Sequence, residues 1–528
     1  MTPPAPDAAA REHNLADVLL RDALARTPDA TAIVQGDRAL SFAALDARAG
    51  EAAARLRTLG VAPGDRVALL YPNDPGYLVA FLGVLRAGAV VVPLSSRSGR
   101  TALGVALEDA APRLVLAHPD LVALARELRP DALVAPADGP WRDAAGAEAG
   151  APGPDADRST APVRPDDVCM QPYTSGSTGR PKGCELSHRG QAWNARASRA
   201  AWSIGPTDRG LAAAPLYHAN AMICVVEPCL LGGGTIVLAE DPAPAAIPAT
   251  IERHACTYTT GVPATYEMLL RAGEDEARDL SSLRFVVCGS APLSPELTRR
   301  ITGHLGVPVV EAYGLTEGGP QVLVNTPEDP GVPGSAGRPI GDGEVALSAL
   351  DTPADATDPA PVPDGEVGEL WVRNPGVLLR YHGLPEQTAA KVTPSGWLRT
   401  GDLARRDAEG RYFIAGRRDD ALSVGGETVH PLEVETLLRR APGVHSAAVV
   451  GVPHAVKGQV PVAFVVPRDP AAAPTAQELK DFTLREGAPY AHPRHVWIVE
   501  DLPLSGPGKV DKRALTAEAA RRTEEEAA

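Results

Sequence analysis

The sequence predicts an α/β fold in two parts, a large N-terminal domain over residues 1–416 and a small α+β domain over 417–528. Short β-branched runs alternate with helix-like stretches through most of the chain, the pattern of a mostly parallel sheet with helices on its faces. Composition then shifts after Gly416, where helical and strand-like segments form a compact set of about one hundred residues, within the usual domain range. Hydrophobic residues make up 44% and charged residues 22%, a soluble globular mix that argues against wholesale disorder or a fibre. At roughly 150 residues per domain, 528 residues allow about three to four compact units, so a large core needs no staple.

The first informative segment is Asn73-Asp74-Pro75, an N-cap followed by Pro in the first turn of a helix from Gly76 to about Ala87, with a strand after it through Val92. Gly76 to Leu94 is the longest apolar stretch, but Arg86 interrupts it and Pro93 ends it, so it reads as buried helix and strand rather than a membrane span. Strand-like runs recur as RVALLY (66–71), AVVVPL (89–94), RLVLAH (113–118), RFVVCGS (284–290) and VPVVEAYG (307–314). Ligands of such sheets bind beyond the carboxyl ends of the strands, so the residues just after these runs matter most. Segments 136–167 and 351–365, rich in Ala, Pro, Gly and Asp without periodicity, read as surface loops. Beyond Gly416, Leu432, Val434, Leu437 and Leu438 mark a helix over 431–440, and Thr475-Ala476-Gln477-Glu478 is a capping box opening a second that ends near Gly487. SAAVVGV, VPVAFVV and HVWIVE read as the strands around them, and Glu524-Glu525-Glu526 as a frayed, solvated tail.

Charge and cysteines narrow the function classes. A formal charge of -15 argues against general nucleic-acid binding, which needs Lys and Arg to neutralise phosphates. The six cysteines, Cys169, Cys184, Cys224, Cys229, Cys256 and Cys288, contain no CxxC pair and read as buried, reduced thiols. The N-terminus places Pro and acidic residues where an export signal needs a positive start and an apolar run, which makes the cytoplasm the expected compartment.

The chemistry concentrates in Tyr173-Thr174-Ser175-Gly176-Ser177-Thr178-Gly179-Arg180-Pro181-Lys182-Gly183. Hydroxyls, flexible glycines and a lysine suit a polyphosphate. It is not a Walker A loop, because Arg180-Pro181 separate glycine from lysine and no Ser or Thr follows. With PLYHANA (215–221), VCGSAPLSPEL (287–297), EAYGLTE (311–317), WLRTGDLA (397–404), GRRDDALSVGGETVHPLEVE (416–435) and PLSGPGKVDKRAL (503–515), the chain resembles the adenylate-forming superfamily of acyl- and aryl-CoA synthetases, peptide-synthetase adenylation domains and luciferases. Seven motifs in order are far more specific than one.

The resemblance implies a large domain of stacked αβ layers with a β-barrel-like subdomain, and a small C-terminal domain that swings about a hinge at Asp419. It assigns phosphate binding to Thr174, Ser175, Gly176, Ser177, Thr178, Gly179 and Lys182, with Thr174 also counted among the catalytic residues. Glu317 would hold Mg2+ on the ATP phosphates, since a hard cation prefers oxygen ligands. Gly289-Ser290-Ala291 would border the adenine, Tyr313, Gly314 and Thr316 would lie against the nucleotide, and Asp402 would accept from both ribose hydroxyls. Arg417 would reach ribose or phosphate, and Lys509 would bridge the substrate carboxylate and the α-phosphate. His218 would close the carboxylate site. Taken alone, each has a plainer reading: Glu317 a solvated acid, Asp402 a turn residue, Lys509 a loop cation, His218 a structural imidazole. Gly425 and Gly426, free of side chains, would let a pantetheine arm pass close to the backbone; a hairpin turn is the other reading, and the two are compatible.

Departures from the pattern bear on the substrate. Ala219 follows His218 where relatives that activate α-amino acids place an Asp, which argues against that class. Ser423 stands where many relatives carry Lys, and Cys184 where Val is common. The expected pocket residues, His218, Ala219, Met222, Cys288, Gly289, Gly318 and Gly319, with Asn220, Ala221 and Pro320 near them, are small or neutral and suit an aromatic or aliphatic carboxylate. The implied reaction is carboxylate plus ATP to acyl-AMP and pyrophosphate, then displacement of AMP by the thiol of CoA. No carrier domain is expected after Lys509, so a separate acyl carrier protein, supplied in trans, is the alternative acceptor. A luciferase-like oxygenase and a silent nucleotide-binding protein are the remaining rivals.

Overall fold

The computed structural model describes residues 13–96, 98–129, 133–136, 157–175, 181–272, 278–424, 427–454, 456–504 and 509–527. The chain divides into two compact units: residues 1–345, 354–358 and 372–400 in one, and 346–353, 359–371 and 401–528 in the other. This division differs from the expected 416/417 boundary by grouping the strand pair Leu398–Arg406 and Tyr412–Arg417 largely with the C-terminal part.

Two large sheets build the first unit. In the nine-stranded sheet, Arg209–Ala212, Thr235–Leu238, Tyr258–Gly261, Phe285–Gly289 and Val309–Gly314 are joined by parallel pairings. The eight-stranded sheet holds Val90–Leu94, Arg66–Leu70 and Leu114–Ala117 as parallel neighbours. The five sequence runs are therefore strands, but they belong to two sheets, a split that periodicity does not encode. Glu344–Ser348, Val367–Arg373, Leu398–Arg406 and Tyr412–Arg417 form a separate four-stranded sheet.

Helix Pro75–Arg86 starts as its sequence predicts, with the Asp74 carboxylate accepting from Gly76 N. The following strand runs on through Pro93 to Leu94. Val91 O accepts from Gln171 N on the Val168–Met170 side, so Pro93, two residues on, points the same way past the end of that strand's pairing. Its missing N–H therefore breaks no ladder bond. Arg86 is buried and ion-paired to Asp17 and Asp46, as a buried cation must be. Among the described residues, no helix is long and apolar enough to cross a membrane. All six cysteines are free and buried.

The C-terminal unit also holds a five-stranded sheet in which Val444–His454 and Gly458–Pro467 pair antiparallel and His495–Ile498 runs parallel to the latter. Alternate side chains serve opposite faces. Val449, Ala463 and Val465 cluster with Val434, Leu438 and Leu479 of helices Pro431–Leu438 and Ala476–Glu486, while Val450, Val462 and Phe464 cluster with Leu515 and Ala519 of helix Lys512–Ala527. The Thr475–Glu478 capping box is formed in both directions. The acidic end departs from expectation. Glu526 lies in the last helix and accepts from Trp497 Nε1 at 2.8 Å, with His495 Nδ1 at 2.6 Å from its other oxygen, so these contacts hold the end against the sheet.

Two acids of the first unit are buried deeply enough to shift. Burial raises Glu227 to about 8 and Glu311 to about 7, from an ordinary 4.5. A carboxyl with a raised folded value binds its proton more tightly folded than unfolded, so its stabilising contribution is complete below about pH 4.5 and is lost as pH rises to its folded value. Glu227→Gln is therefore expected to leave the thermal midpoint near pH 4.5 little changed and to raise it at pH 8 to 9, flattening the fall seen in the parent protein. Parallel midpoint curves across that range would show that Glu227 does not titrate as its burial requires.

Candidate active site

The phosphate-loop motif folds as an antiparallel strand pair. Tyr173–Ser175 lies along Pro181–Ser187, with Thr174 opposite Lys182 and Ser175 opposite Pro181. The expected loop residues Gly176, Ser177, Thr178 and Gly179 lie outside the described residues. Tyr173 fixes the start of the loop by donating to Asp109 at 2.7 Å and accepting from Gln171 at 3.0 Å.

Thr174 points at Glu317, whose Oε1 accepts from the Thr174 hydroxyl at 3.3 Å and from the Tyr381 phenol at 3.0 Å. Glu317 sits in the short 3-10 turn Thr316–Gly318 that follows strand Val309–Gly314. Tyr381 reaches it because Arg380–Tyr381 pairs antiparallel with Glu185 and Cys184 on Pro181–Ser187. Lys182 Nζ stands 5.2 Å from the Tyr381 ring centroid, a cation over an aromatic face. The Cys184 thiol lies 3.8 Å from the Thr174 hydroxyl, and burial, then the nearby Glu317 charge, pushes its pKa well up. The structure thus joins three predicted residues, Thr174, Lys182 and Glu317, and adds Tyr381, which no sequence signal marks, and Cys184, which the sequence left without a role.

Close backbone approach explains the glycines of this region. A Cβ on Gly314 would stand 1.9 Å from Pro320 O, and one on Gly289 would stand 2.8 Å from Ala312 O. Gly319 has φ +126 and a cis bond to Pro320. Asn374 Nδ2 donates to Gly318 O at 3.0 Å and Gln191 Nε2 to Gly319 O at 3.4 Å, fixing the turn beyond Glu317. Ser290 is exposed with φ +68, a left-handed conformation unusual for a residue with a side chain, and it precedes Ala291 at the end of strand Phe285–Gly289. Tyr313 pairs with Leu323 across the neighbouring strand.

His218 caps the N-terminus of the helical run 219–232 and lies 4.6 Å, ring to ring, from Tyr217. Ala219 and Met222 follow in that run, and Asn220 accepts from Thr260 at 2.8 Å. Cys288 is buried beneath Gly289 opposite Glu311 on the next strand, and burial, reinforced by Glu311, pushes its thiol well up.

In the second unit, Asp402 and Arg417 face each other across paired strands, and Arg417 Nη1 donates to Asp402 Oδ1 at 2.9 Å. The two groups expected on the ribose and phosphate are thus mutually oriented, with Asp402 buried and Arg417 half exposed. Asp419 lies exposed in the 3-10 turn Arg418–Asp420, next to Arg418, which is anchored to Glu369 at 2.9 Å. The strands Leu422–Val424 and Glu427–Val429 pair as a hairpin, while Gly425 and Gly426 between them lie outside the described residues. Lys509 is exposed, next to a bridge between Leu504 and Val510.

An acidic oxygen beside hydroxyls, a nearby lysine and tight glycine turns are a donor set that can serve phosphate chemistry. The AMP-binding enzyme family matches residues 20–382, and the AMP-binding enzyme C-terminal domain matches 433–509. Feruloyl-CoA synthase of Amycolatopsis sp is 38% identical over 92% of this chain and 95% of its own length. Sulfoacetate–CoA ligase of Cupriavidus necator is 35% identical over 93% of this chain and 95% of its own. ATP-bound MatB from Rhodopseudomonas palustris superposes with a TM-score of 0.87 at 30% identity, covering 96% of this chain and 98% of that one. The chain belongs to the AMP-binding, adenylate-forming enzyme family.

Proposed function

We propose that this protein is an AMP-forming acid–CoA ligase that activates an aromatic carboxylic acid with ATP and passes the acyl group to the thiol of CoA. The observation that carries the reading is the convergence of Thr174 from the phosphate-loop strand and Glu317 from the turn after Val309–Gly314, 3.3 Å apart. Small or neutral side chains after His218 and around Gly289 suit an aromatic or aliphatic acid, and the likeness to a feruloyl-CoA synthase supports the aromatic one.

The donor set suits magnesium. Among the described residues, Glu317 offers a carboxylate whose hydrogen-bond partners are two neutral hydroxyls, so its charge would meet a hard cation, and the ion would offset the phosphate charge of ATP there. Thr174 and Lys182 would bind the phosphates, with Tyr381 holding Glu317 in place. Asp402, oriented by Arg417, would bind the ribose hydroxyls. Lys509 would hold the substrate carboxylate against the α-phosphate as its oxygen attacks phosphorus and pyrophosphate departs. His218 would border the acid. In the second half-reaction the CoA thiolate attacks the acyl carbon, AMP leaves, and the Gly425-Gly426 backbone would admit the pantetheine arm. The part that moves between half-reactions would begin after Gly416, with Asp419 as hinge.

The deciding experiment is acid-dependent pyrophosphate exchange across aryl, fatty and amino acids, with CoA then added and thioester followed by mass spectrometry. Exchange with thioester supports the ligase; exchange without thioester points to a separate carrier protein or another nucleophile. Lys509→Ala is expected to slow adenylation by roughly two to three orders of magnitude, the scale of a lost electrostatic stabiliser, while sparing thioester formation from supplied acyl-AMP. Equal loss of both steps would remove Lys509 from the first step alone. Gly426→Leu is expected to do the opposite, blocking thioester formation while exchange survives. Tyr381→Phe, which deletes one charge-assisted hydrogen bond to Glu317, is expected to raise the KM for magnesium-ATP about tenfold with the KM for the acid unchanged.

A further inference from the structure

Tyr381 reaches Glu317 from a strand of two residues, Arg380–Tyr381, and the residues on either side of the tyrosine carry the means to fix it. In this antiparallel pair Arg380 stands opposite Glu185 and Tyr381 opposite Cys184. Successive side chains of a strand point to opposite faces, and directly opposed side chains share a face. One face therefore carries Tyr381, Cys184 and Lys182, the side on which the Tyr381 phenol meets Glu317 and Lys182 Nζ stands over its ring. The other face carries Arg380, His382 and Glu185.

On that second face Glu185 receives both groups that flank the tyrosine. His382 Nδ1 lies 2.7 Å from Glu185 Oε1, and Arg380 Nε lies 2.7 Å from Oε2. The glutamate is buried whereas Arg380 is more than half exposed, so the carboxylate is the fixed end of this tether and the short strand is the end it holds. A buried carboxylate keeps its charge where cations or donors meet it. Backbone bonds also secure the strand, from Leu379 N to Glu185 O and from His382 N to Gly183 O, each at 2.8 Å. Those bonds fix where the strand lies but resist little its rotation about its own axis, and that rotation sets the distance from the phenol to Glu317. Side-chain bonds at 380 and 382, on either side of Tyr381 and behind it, oppose the rotation.

We infer that Glu185 is a positioning residue for magnesium-ATP: by holding Arg380 and His382 behind the strand, it sets the Tyr381 hydroxyl on Glu317 and so orients the acid that meets the metal. This rests on the magnesium role given to Glu317 above and extends it to a residue that touches neither Glu317 nor the nucleotide. Groups that orient a metal-binding carboxylate matter nearly as much as the ligand itself, and their loss weakens metal affinity roughly ten- to a hundredfold. Glu185 acts one step further out, through Tyr381, so the effect of its loss is bounded by that of losing the Tyr381 hydroxyl.

The test measures the KM for magnesium-ATP and for the acid, by acid-dependent pyrophosphate exchange, in the parent, Glu185→Leu, Glu185→Gln, Tyr381→Phe and the double variant Glu185→Leu with Tyr381→Phe. Glu185→Leu is expected to raise the KM for magnesium-ATP about fivefold, up to the rise seen in Tyr381→Phe, with the KM for the acid unchanged. Glu185→Gln, which still accepts from His382, should raise it by no more than about twofold. The double variant should match Tyr381→Phe alone, because a tether that works through the phenol has nothing to hold once the phenol is gone, whereas a merely structural residue would add its own loss. Should Glu185→Leu not fold, the paired variant Arg380→Ala with His382→Ala cuts the same tether from its other end and is held to the same expectations. An unchanged KM for magnesium-ATP in Glu185→Leu beside a raised one in Tyr381→Phe, effects that multiply in the double variant, or an equal rise in the KM for the acid overturns the proposal. If Tyr381→Phe itself changes nothing, the role of Tyr381 at Glu317 falls and the tether with it. If no acid supports exchange in the parent, the adenylation reading falls alone, and calorimetric dissociation constants for magnesium-ATP in the same variants, judged by the same ratios, decide the tether.

Discussion

Strand Pro181–Ser187 is the constraint on which the site depends. It takes three antiparallel partners: Val168–Met170, the phosphate-loop strand Tyr173–Ser175 and the two-residue strand Arg380–Tyr381. Backbone pairing fixes register, and register decides which side chains meet. Thr174 opposite Lys182 and Tyr381 opposite Cys184 are consequences of that register, and together they present two hydroxyls to Glu317. The ion pair of Glu185 with Arg380 and its hydrogen bond with His382 tie the distant strand to its place.

A second constraint is backbone crowding around the turn that carries Glu317. Gly314 admits no Cβ against Pro320 O, and Gly319 holds a positive φ, so the chain can turn back on itself directly after the strand and set the acid at its carboxyl end. Asn374 and Gln191 hold the carbonyls of that turn. Among the described residues, the acid is thus positioned by backbone geometry and neutral hydrogen bonds rather than by a salt bridge, which leaves its charge available for a ligand.

The helix from His218 adds another use of irregular backbone. Its π-turn, Met222–Val226, moves one residue around the axis and puts Glu227 in place of Val226 on the face that starts at the histidine. The resulting buried acid costs stability as pH rises through its folded value.

The sequence by itself determined the family, the run of strands and the capped helices, because periodicity, caps and ordered motifs are local properties. It marked Thr174, Lys182, Glu317, Asp402, Arg417 and Lys509 through motifs whose residues are contiguous in the chain. What only the tertiary structure decided depends on pairing between distant segments: the division of similar β-branched runs between two sheets, the arrival of Tyr381 at Glu317, and the docking of Glu526 against Trp497. Glu227 lay in plain view within MICVVEPCLL, yet only the fold shows which helix face a lone acid in an apolar run occupies and that it is buried.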